Sequence, residues 1–388
     1  MFILRITLIL LLFLILPDIY IYCMHIARKK HHFLWNILYW IPTTAVIIAC
    51  IAYFSDINAL SHHTIEIGRL AIIIMLLCVP KLVFMICSII GKIIHYVIRP
   101  IPMFPFVISG IIIGMICFGG CLYGSVWGIT RFEIKEVDYH STRLPKGFDG
   151  YRIVQLSDLH LGSWEHNPKA IQKVVNMVNE QSPDLIVFTG DIVNQQSHEI
   201  DSFTSILSQL KAPDGIYSTL GNHDYGTYYH WDNAIEATEN LQYLKDRQAE
   251  MGWKMLNNDH AILYHKGDSI ALIGVENDGE PPFSQHADLP RAMKGTEGMF
   301  RILLSHNPTH WRREVLPTTD IDLTLAGHTH AMQMELFGHS PAVFKYSEWK
   351  GMYKEGEQSL YVNIGLGYVG LPFRFGAWPE ITVFTLHE

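Results

Sequence analysis

LTLAGHTHAMQM, Leu323–Met334, carries a short apolar run into a glycine and then sets two histidines one residue apart. In an extended segment, side chains at i and i+2 point to the same side, so His328 and His330 face one spot. His-x-His is a metal-ligand spacing, but a short one. On its own it weighs no more than an ordinary pair of hydrogen-bonded histidines. Its meaning depends on how the other apolar runs end.

Four more end in the same way. YRIVQLS (Tyr151–Ser157) reads as a strand and leads into Asp158-Leu159-His160. DLIVFT (Asp184–Thr189) leads into Gly190-Asp191, and GIYSTL (Gly215–Leu220) into Gly221-Asn222-His223-Asp224. RILLS (Arg301–Ser305) leads into His306-Asn307-Pro308. Each run passes through a glycine or serine to a metal-competent side chain, and sites in α/β sheets gather beyond the carboxyl ends of strands. Singly, each has a structural explanation: Asp158 capping a turn, Asp191 in an Asx-turn, Asn222 in a left-handed position, His306 in a loop. Five such coincidences together are not explained that way.

Helical patterns lie between the strands. Asn167-Pro168 predicts a helix start, with a capping side chain and proline in the first turn. Ile171, Val174, Val175 and Val178 then share one face. A short helix is expected over Asp201–Leu210 and a long polar one over Asn233–Glu250, and AILYH, SIALIGV, LYVNIG and ITVFTL supply further strands. The mixture predicts a mixed sheet, or two packed sheets with helices outside, rather than a simple barrel.

The donor inventory is Asp158, Asp191, Asn222, His160, His306, His328 and His330, with His223 beside them. Oxygen and nitrogen donors without thiolate suit Mn²⁺, Fe²⁺ or Zn²⁺ in higher coordination better than a structural zinc. Seven donors exceed the need of one ion. Two ions sharing a carboxylate fit the number, and a two-metal centre suits attack of a bound hydroxide on phosphorus.

The chain has 388 residues, more than one core normally serves. Residues 1–130 hold eight Lys/Arg and three acids, net +5, and the remainder nets −13. An acidic globular part argues against nucleic acid as partner, since phosphate backbones are held by clustered Lys/Arg. All six cysteines lie at or before Cys121, which excludes a disulfide framework or thiolate site from the acidic part.

Phe2–Tyr22, Phe33–Phe54, Leu70–Ile90 and Phe104–Trp127 are each long enough to cross a bilayer, which takes about 20 residues. The first lacks a small-x-small cleavage site and leads into Arg28-Lys29-Lys30, so it reads as a retained helix. Those three residues, with Lys92 and Arg99, make the first and third loops basic. The expected orientation therefore puts both termini and the globular part on the exoplasmic (periplasmic or extracellular) face of an inner or plasma membrane. Arg131 and Lys135 alternate with Phe132, Glu133, Ile134 and Glu136 as in a strand, and read as part of the folded domain. Gly110, Gly114, Gly120, Gly124 and Gly128 predict close helix packing. Lys81 lies mid-span beside Pro80 with no acidic partner evident at similar depth in another span.

The ordered blocks D-x-H, G-D-x-V, G-N-H-D, S-H-N-P and G-H-T-H, from Asp158 to His330, resemble the calcineurin-like metallophosphoesterases. The subgroup resembled is the membrane-associated bacterial phosphodiesterases related to UDP-2,3-diacylglucosamine pyrophosphatases, which the ending YVNIGLGYVGLPFRFGAWPEITVFTL also fits. The resemblance implies an αββα sandwich over residues 131–388, after a four-helix membrane region over 1–130. It implies two divalent ions, Mn²⁺ favoured over Fe²⁺ or Zn²⁺. One would be held by Asp158, His160, Asp191 and His330, the other by Asp191, Asn222, His306 and His328, with Asp191 bridging. His223 is then the acid that protonates the leaving oxygen, oriented by Asp224. A phosphodiester or pyrophosphate on a lipid or lipid-linked molecule is the expected substrate. A phosphomonoesterase of the same fold, or a non-catalytic metal-binding scaffold or sensor, are the alternatives; a scaffold would be expected to show broken ligand blocks. An amidohydrolase barrel would place His-x-His on its first strand, whereas here the pair comes late.

Other residues are weaker candidates. Asn194 reads as a turn residue or a substrate contact. Tyr225, Tyr228, Tyr229, His230 and Trp231 are equally suited to a pocket rim, to packing on a helix or to a membrane interface. Phe373, Arg374 and Phe375 suggest contact with an anionic lipid headgroup.

Overall fold

The computed structural model describes residues 2–27, 33–56 and 58–388, without the side chains of residues 2–11 and 60. The basic cluster Arg28–Lys30 lies outside the described residues. The chain divides into two compact units: residues 1–128 with 370–373, and residues 129–369 with 374–388.

The first unit is helical, with α1 (Phe2–Ile21), α2 (Phe33–Tyr53), α3 (Thr64–Val97) and α4 (Phe104–Val126). Among the described residues α2, α3 and α4 are long and apolar enough to cross a membrane, and Leu12–Ile26 is a shorter apolar helix. Gly110 and Gly114 do what their spacing predicts. A Cβ on Gly110 would lie 3.0 Å from Cys87 Cβ, and one on Gly114 3.1 Å from the Pro80 carbonyl, so α4 packs directly on α3.

Lys81 does have an acidic partner, contrary to the sequence expectation. Its Nζ lies 2.6 Å from Oδ1 of the fully buried Asp18, which also takes hydrogen bonds from the hydroxyls of Thr43 and Tyr39. The pairing is hidden in sequence because the helix does not stop near Tyr22. A π-helical turn carries it on to Ile26, and this places Asp18 well inside the helical run.

The second unit is built on two six-stranded sheets. The first has the order β1 (Glu133–His140), β12 (Glu380–His387), β2 (Arg152–Leu156), β3 (Leu185–Thr189), β4 (Ile216–Thr219), β5 (Trp253–Met255). The second runs β10 (Gly351–Glu355), β11 (Gln358–Val362), β9 (Leu323–Ala326), β8 (Arg301–Leu304), β7 (Asp268–Gly274), β6 (Asp259–His265). The strands from β2 to β5 pair in parallel, as do β7, β8, β9 and β11. Mixed character comes from β12 against β2, β6 against β7 and β10 against β11.

Parallel strands buried on both faces need continuous apolar runs rather than alternation, and β3 illustrates it. Leu185 and Val187 join the core between the sheets, while Ile186 and Phe188 join the core beneath the helices. In β8, Ile302 and Leu304 face inward and Leu303 lies in a third, outer cluster. Each such side chain stabilises the fold by about 1.5–3 kcal/mol relative to exposure. Helix α5 (Pro168–Glu180) buries Ile171, Val174, Val175 and Val178 as its periodicity predicts. Asn167, however, precedes it without a side-chain cap, whereas Asn233 does cap α6 (Ala234–Glu250) through the amides of Ile235 and Glu236. The helix expected over Asp201–Leu210 is instead a 3₁₀ segment, Ser197–Phe203, running into one α-turn, Thr204–Leu207.

Candidate metal centre

The carboxyl ends of β2, β3 and β4 in one sheet and of β8 and β9 in the other bring the five blocks together. Asp158, His160 and His330 offer donor atoms within 4.8 Å of one another, and so do Asp191, His306 and His328. His330 Nε2 is 3.2 Å from Asp158 Oδ1 and 3.1 Å from His160 Nε2. His306 Nε2 is 3.1 Å from Asp191 Oδ2, 3.2 Å from Asn222 Oδ1 and 3.3 Å from His328 Nδ1. Asp191 Oδ2 also lies 3.8 Å from His160 Nε2, so one carboxylate belongs to both groups.

The backbone is bent to achieve this. Asp158, His160, Asp191, His328 and His330 all have positive φ, between 49° and 73°. Non-glycine residues in that region cost of order 1–3 kcal/mol each and cluster at functional sites. Such turns let short side chains from different strands point at one another. His328 and His330 accordingly do not lie on an extended strand: β9 stops at Ala326 and the two rings diverge, one into each group. Gly327 is required by close approach, since a Cβ there would collide with Ser157 Oγ and Asp158 Oδ2.

Hydrogen bonds fix the donor atoms. His306 Nδ1 donates to the Thr189 carbonyl at 2.7 Å, which turns Nε2 toward Asp191 and Asn222. With His328 Nδ1 turned to the same spot, its Nε2–H donates to Tyr346 Oη, 3.1 Å away. Burial, followed by the charge of His306, pushes His328 down to about 3, and burial also pulls His160 and His330 below the usual histidine range. Three imidazoles are thus neutral at pH 7, the state that ligates a metal. Burial acts the same way on His306, but the Asp191 carboxylate overrides it and lifts the group to about 9.

This arrangement fits two divalent cations. Imidazole nitrogens and carboxylate oxygens converge from several sides at 3.1–3.9 Å with too few protons to satisfy every lone pair, and a cation in each group removes the repulsion. A further cluster, Asp278, His310 and Glu314, is satisfied internally. Arg313 pairs with Asp278, and His310 is held by Ser305 and Glu314.

Asp224 sits otherwise than expected. Its fully buried carboxylate accepts the backbone amides of Asp191, Ile192, Val193 and Gly221, and so fastens the β3 and β4 loops together. It is the carbonyl of Asn194 that meets His223 Nδ1, at 2.6 Å. That carbonyl is fixed in turn by Glu199, whose carboxylate takes the amides of Gly162, Asn194, Gln195 and Gln196. Nothing in the spacing announces Glu199 or Tyr346. Arg374 is fully buried, so it is no headgroup contact. Its guanidinium lies 2.9 Å from His330 Nδ1 and donates to the carbonyls of Ile364, Gly365, Gly367 and Ala377.

A model of the calcineurin-like phosphoesterases matches residues 151–332, and one described as a probable calcineurin-like phosphoesterase transmembrane domain matches residues 4–129. The metallophosphoesterase YkuE of Bacillus subtilis is similar at 34% identity, over 70% of this chain and 94% of that protein. A transmembrane protein with metallophosphoesterase domain from Danio rerio is also 34% identical, over 69% of this chain and 60% of its own length. Among solved structures, a dimetal phosphatase from Danio rerio is similar at 11% identity with TM-score 0.35, over 56% of this chain and 88% of that one.

Proposed function

The chain belongs to the calcineurin-like metallophosphoesterases and is a membrane-anchored, metal-dependent hydrolase of phosphoric esters; from that premise we propose that it cleaves a phosphodiester or pyrophosphate of a lipid or lipid-linked molecule at a two-metal centre. The observation that carries the reading is the single carboxylate, Asp191, shared by two convergent donor groups. Asp158, His160, Asp191 and His330 would hold one ion, and Asp191, Asn222, His306 and His328 the other, with Mn²⁺ the favoured metal. Bound there, the ions would activate water and offset charge developing on phosphorus.

The protein's own groups do the rest. His223 donates Nδ1–H to the Asn194 carbonyl, which leaves Nε2 to give a proton to the departing oxygen.

The reading takes residues 1–130 as the membrane region and 131–388 as the catalytic domain. Six residues, 127–132, separate α4 from β1 and span at most about 20 Å extended, which favours a substrate at the bilayer. The basic residues Arg28–Lys30, Lys92 and Arg99 support a catalytic domain on the exoplasmic face.

Purified full-length protein loaded with Mn²⁺ should hydrolyse bis(p-nitrophenyl) phosphate faster than p-nitrophenyl phosphate. Asp191→Ala should lose metal and at least 10³-fold in kcat (an order-of-magnitude expectation). His223→Ala should keep its metal and lose about 10²–10⁴-fold. Undiminished hydrolysis by either folded variant would sink the assignment.

A further inference from the structure

The aromatic loop after Gly221-Asn222-His223-Asp224 contains one side chain that the roles above leave unused. Gly226, with φ of 66°, turns the chain back on itself, and its carbonyl accepts Trp231 Nε1 at 2.8 Å and the Tyr229 amide at 3.2 Å. Tyr225 leaves in another direction, toward Glu276 and Asn277. Tyr228 folds over the centre instead. Its ring lies against His223, with centroids 4.4 Å apart, and its oxygen is 2.9 Å from Asn222 Nδ2.

That last contact has a direction. Asn222 turns Oδ1 toward His306 Nε2, the position a metal ligand needs, so its amide nitrogen faces Tyr228 and donates. The phenol oxygen is therefore an acceptor in this bond, and its own O–H is not consumed by it. No protein acceptor for that proton occurs among the described residues, and Tyr228 is 47% exposed. A donor is thus fixed by one metal-ligand candidate, packed on the proposed proton donor and open to solvent.

We propose that Tyr228 is a catalytic residue, whose hydroxyl donates a hydrogen bond to a non-bridging oxygen of the substrate phosphoryl group while the Asn222 amide holds it in place. This rests on the phosphoester-hydrolase reading. The bond strengthens as charge gathers on the phosphoryl oxygens, so its effect falls on kcat more than on KM. Being neutral, the phenol adds no charge complementarity for a second phosphate ionisation, in keeping with a diester substrate.

Tyr228→Phe deletes the hydroxyl and keeps the ring on His223. In the full chain with Mn²⁺, the variant should retain wild-type metal content, lose about tenfold to a hundredfold in kcat on bis(p-nitrophenyl) phosphate and bind orthovanadate several-fold more weakly. Unchanged kcat and vanadate affinity would overturn the proposal. So would a loss that excess Mn²⁺ restores, because Tyr228 would then only orient Asn222. Wild-type protein that holds two ions yet cleaves neither ester would instead remove the hydrolase reading itself, and this role with it.

Discussion

At the scale of single residues, the centre depends on backbone conformations that its side chains do not favour. Five candidate ligands sit at positive φ, and the glycine before His328 leaves no room for a methyl group. Gly327→Ala should therefore destabilise the catalytic unit by about 1–3 kcal/mol through overpacking. It should also displace Asp158, so metal content and activity should fall together; a variant with normal melting temperature and metal content would contradict this. The candidate donors stand out in the sequence because each block follows an apolar run through a small residue, and the structure brings these blocks together. What the side chains do beyond that does not stand out. His223-Asp224 reads as an acid with its orienting carboxylate, yet Asp224 is turned to four backbone amides and a main-chain carbonyl holds the histidine. Main-chain partners leave no mark in a one-dimensional pattern. Arg374 misled for a related reason: between two phenylalanines it suggests a surface cation, but its donors are met by carbonyls inside the fold.

At the scale of elements, helices and strands follow the sequence pattern wherever both faces or one stripe are apolar, as in β3 and α5. Contacts between elements leave less trace in the sequence, since pairing across a bundle depends on rotation and depth. Asp18 and Lys81 are the clearest case. Removing one partner of a buried pair costs about 3–5 kcal/mol in soluble proteins, mostly from the stranded charge. Lys81→Met should thus lower the melting temperature in detergent more than the double change Asp18→Asn with Lys81→Met; equal losses would mean the pair is not coupled. A second buried carboxylate, Glu380 at the start of β12, receives the Tyr361 and Thr382 hydroxyls on one oxygen while the other has no hydrogen-bond partner among the described residues. Burial raises its pKa above the usual glutamate value. A raised folded pKa gives stability that is present below the unfolded value and lost as pH rises through the folded one. Glu380→Gln should therefore gain melting temperature over wild type at pH 8 and little at pH 4. A gap that widens toward low pH would refute that sign.

At the scale of the whole molecule, the charge division of the sequence, +5 before residue 131 and −13 after it, parallels a helical unit and a sheet unit. The strand order is less visible from sequence, because β12 enters the first sheet between β1 and β2, parallel to one and antiparallel to the other. That insertion has a consequence in time. A ribosome delivers β1 and β2 early and every candidate ligand through His330 before the partner strand of both has been synthesised. The two early strands must wait, bridged by nothing, while more than two hundred residues emerge. Closure of so distant a contact is slow. The order of events therefore makes closure of the first sheet a late step, after every candidate ligand has emerged.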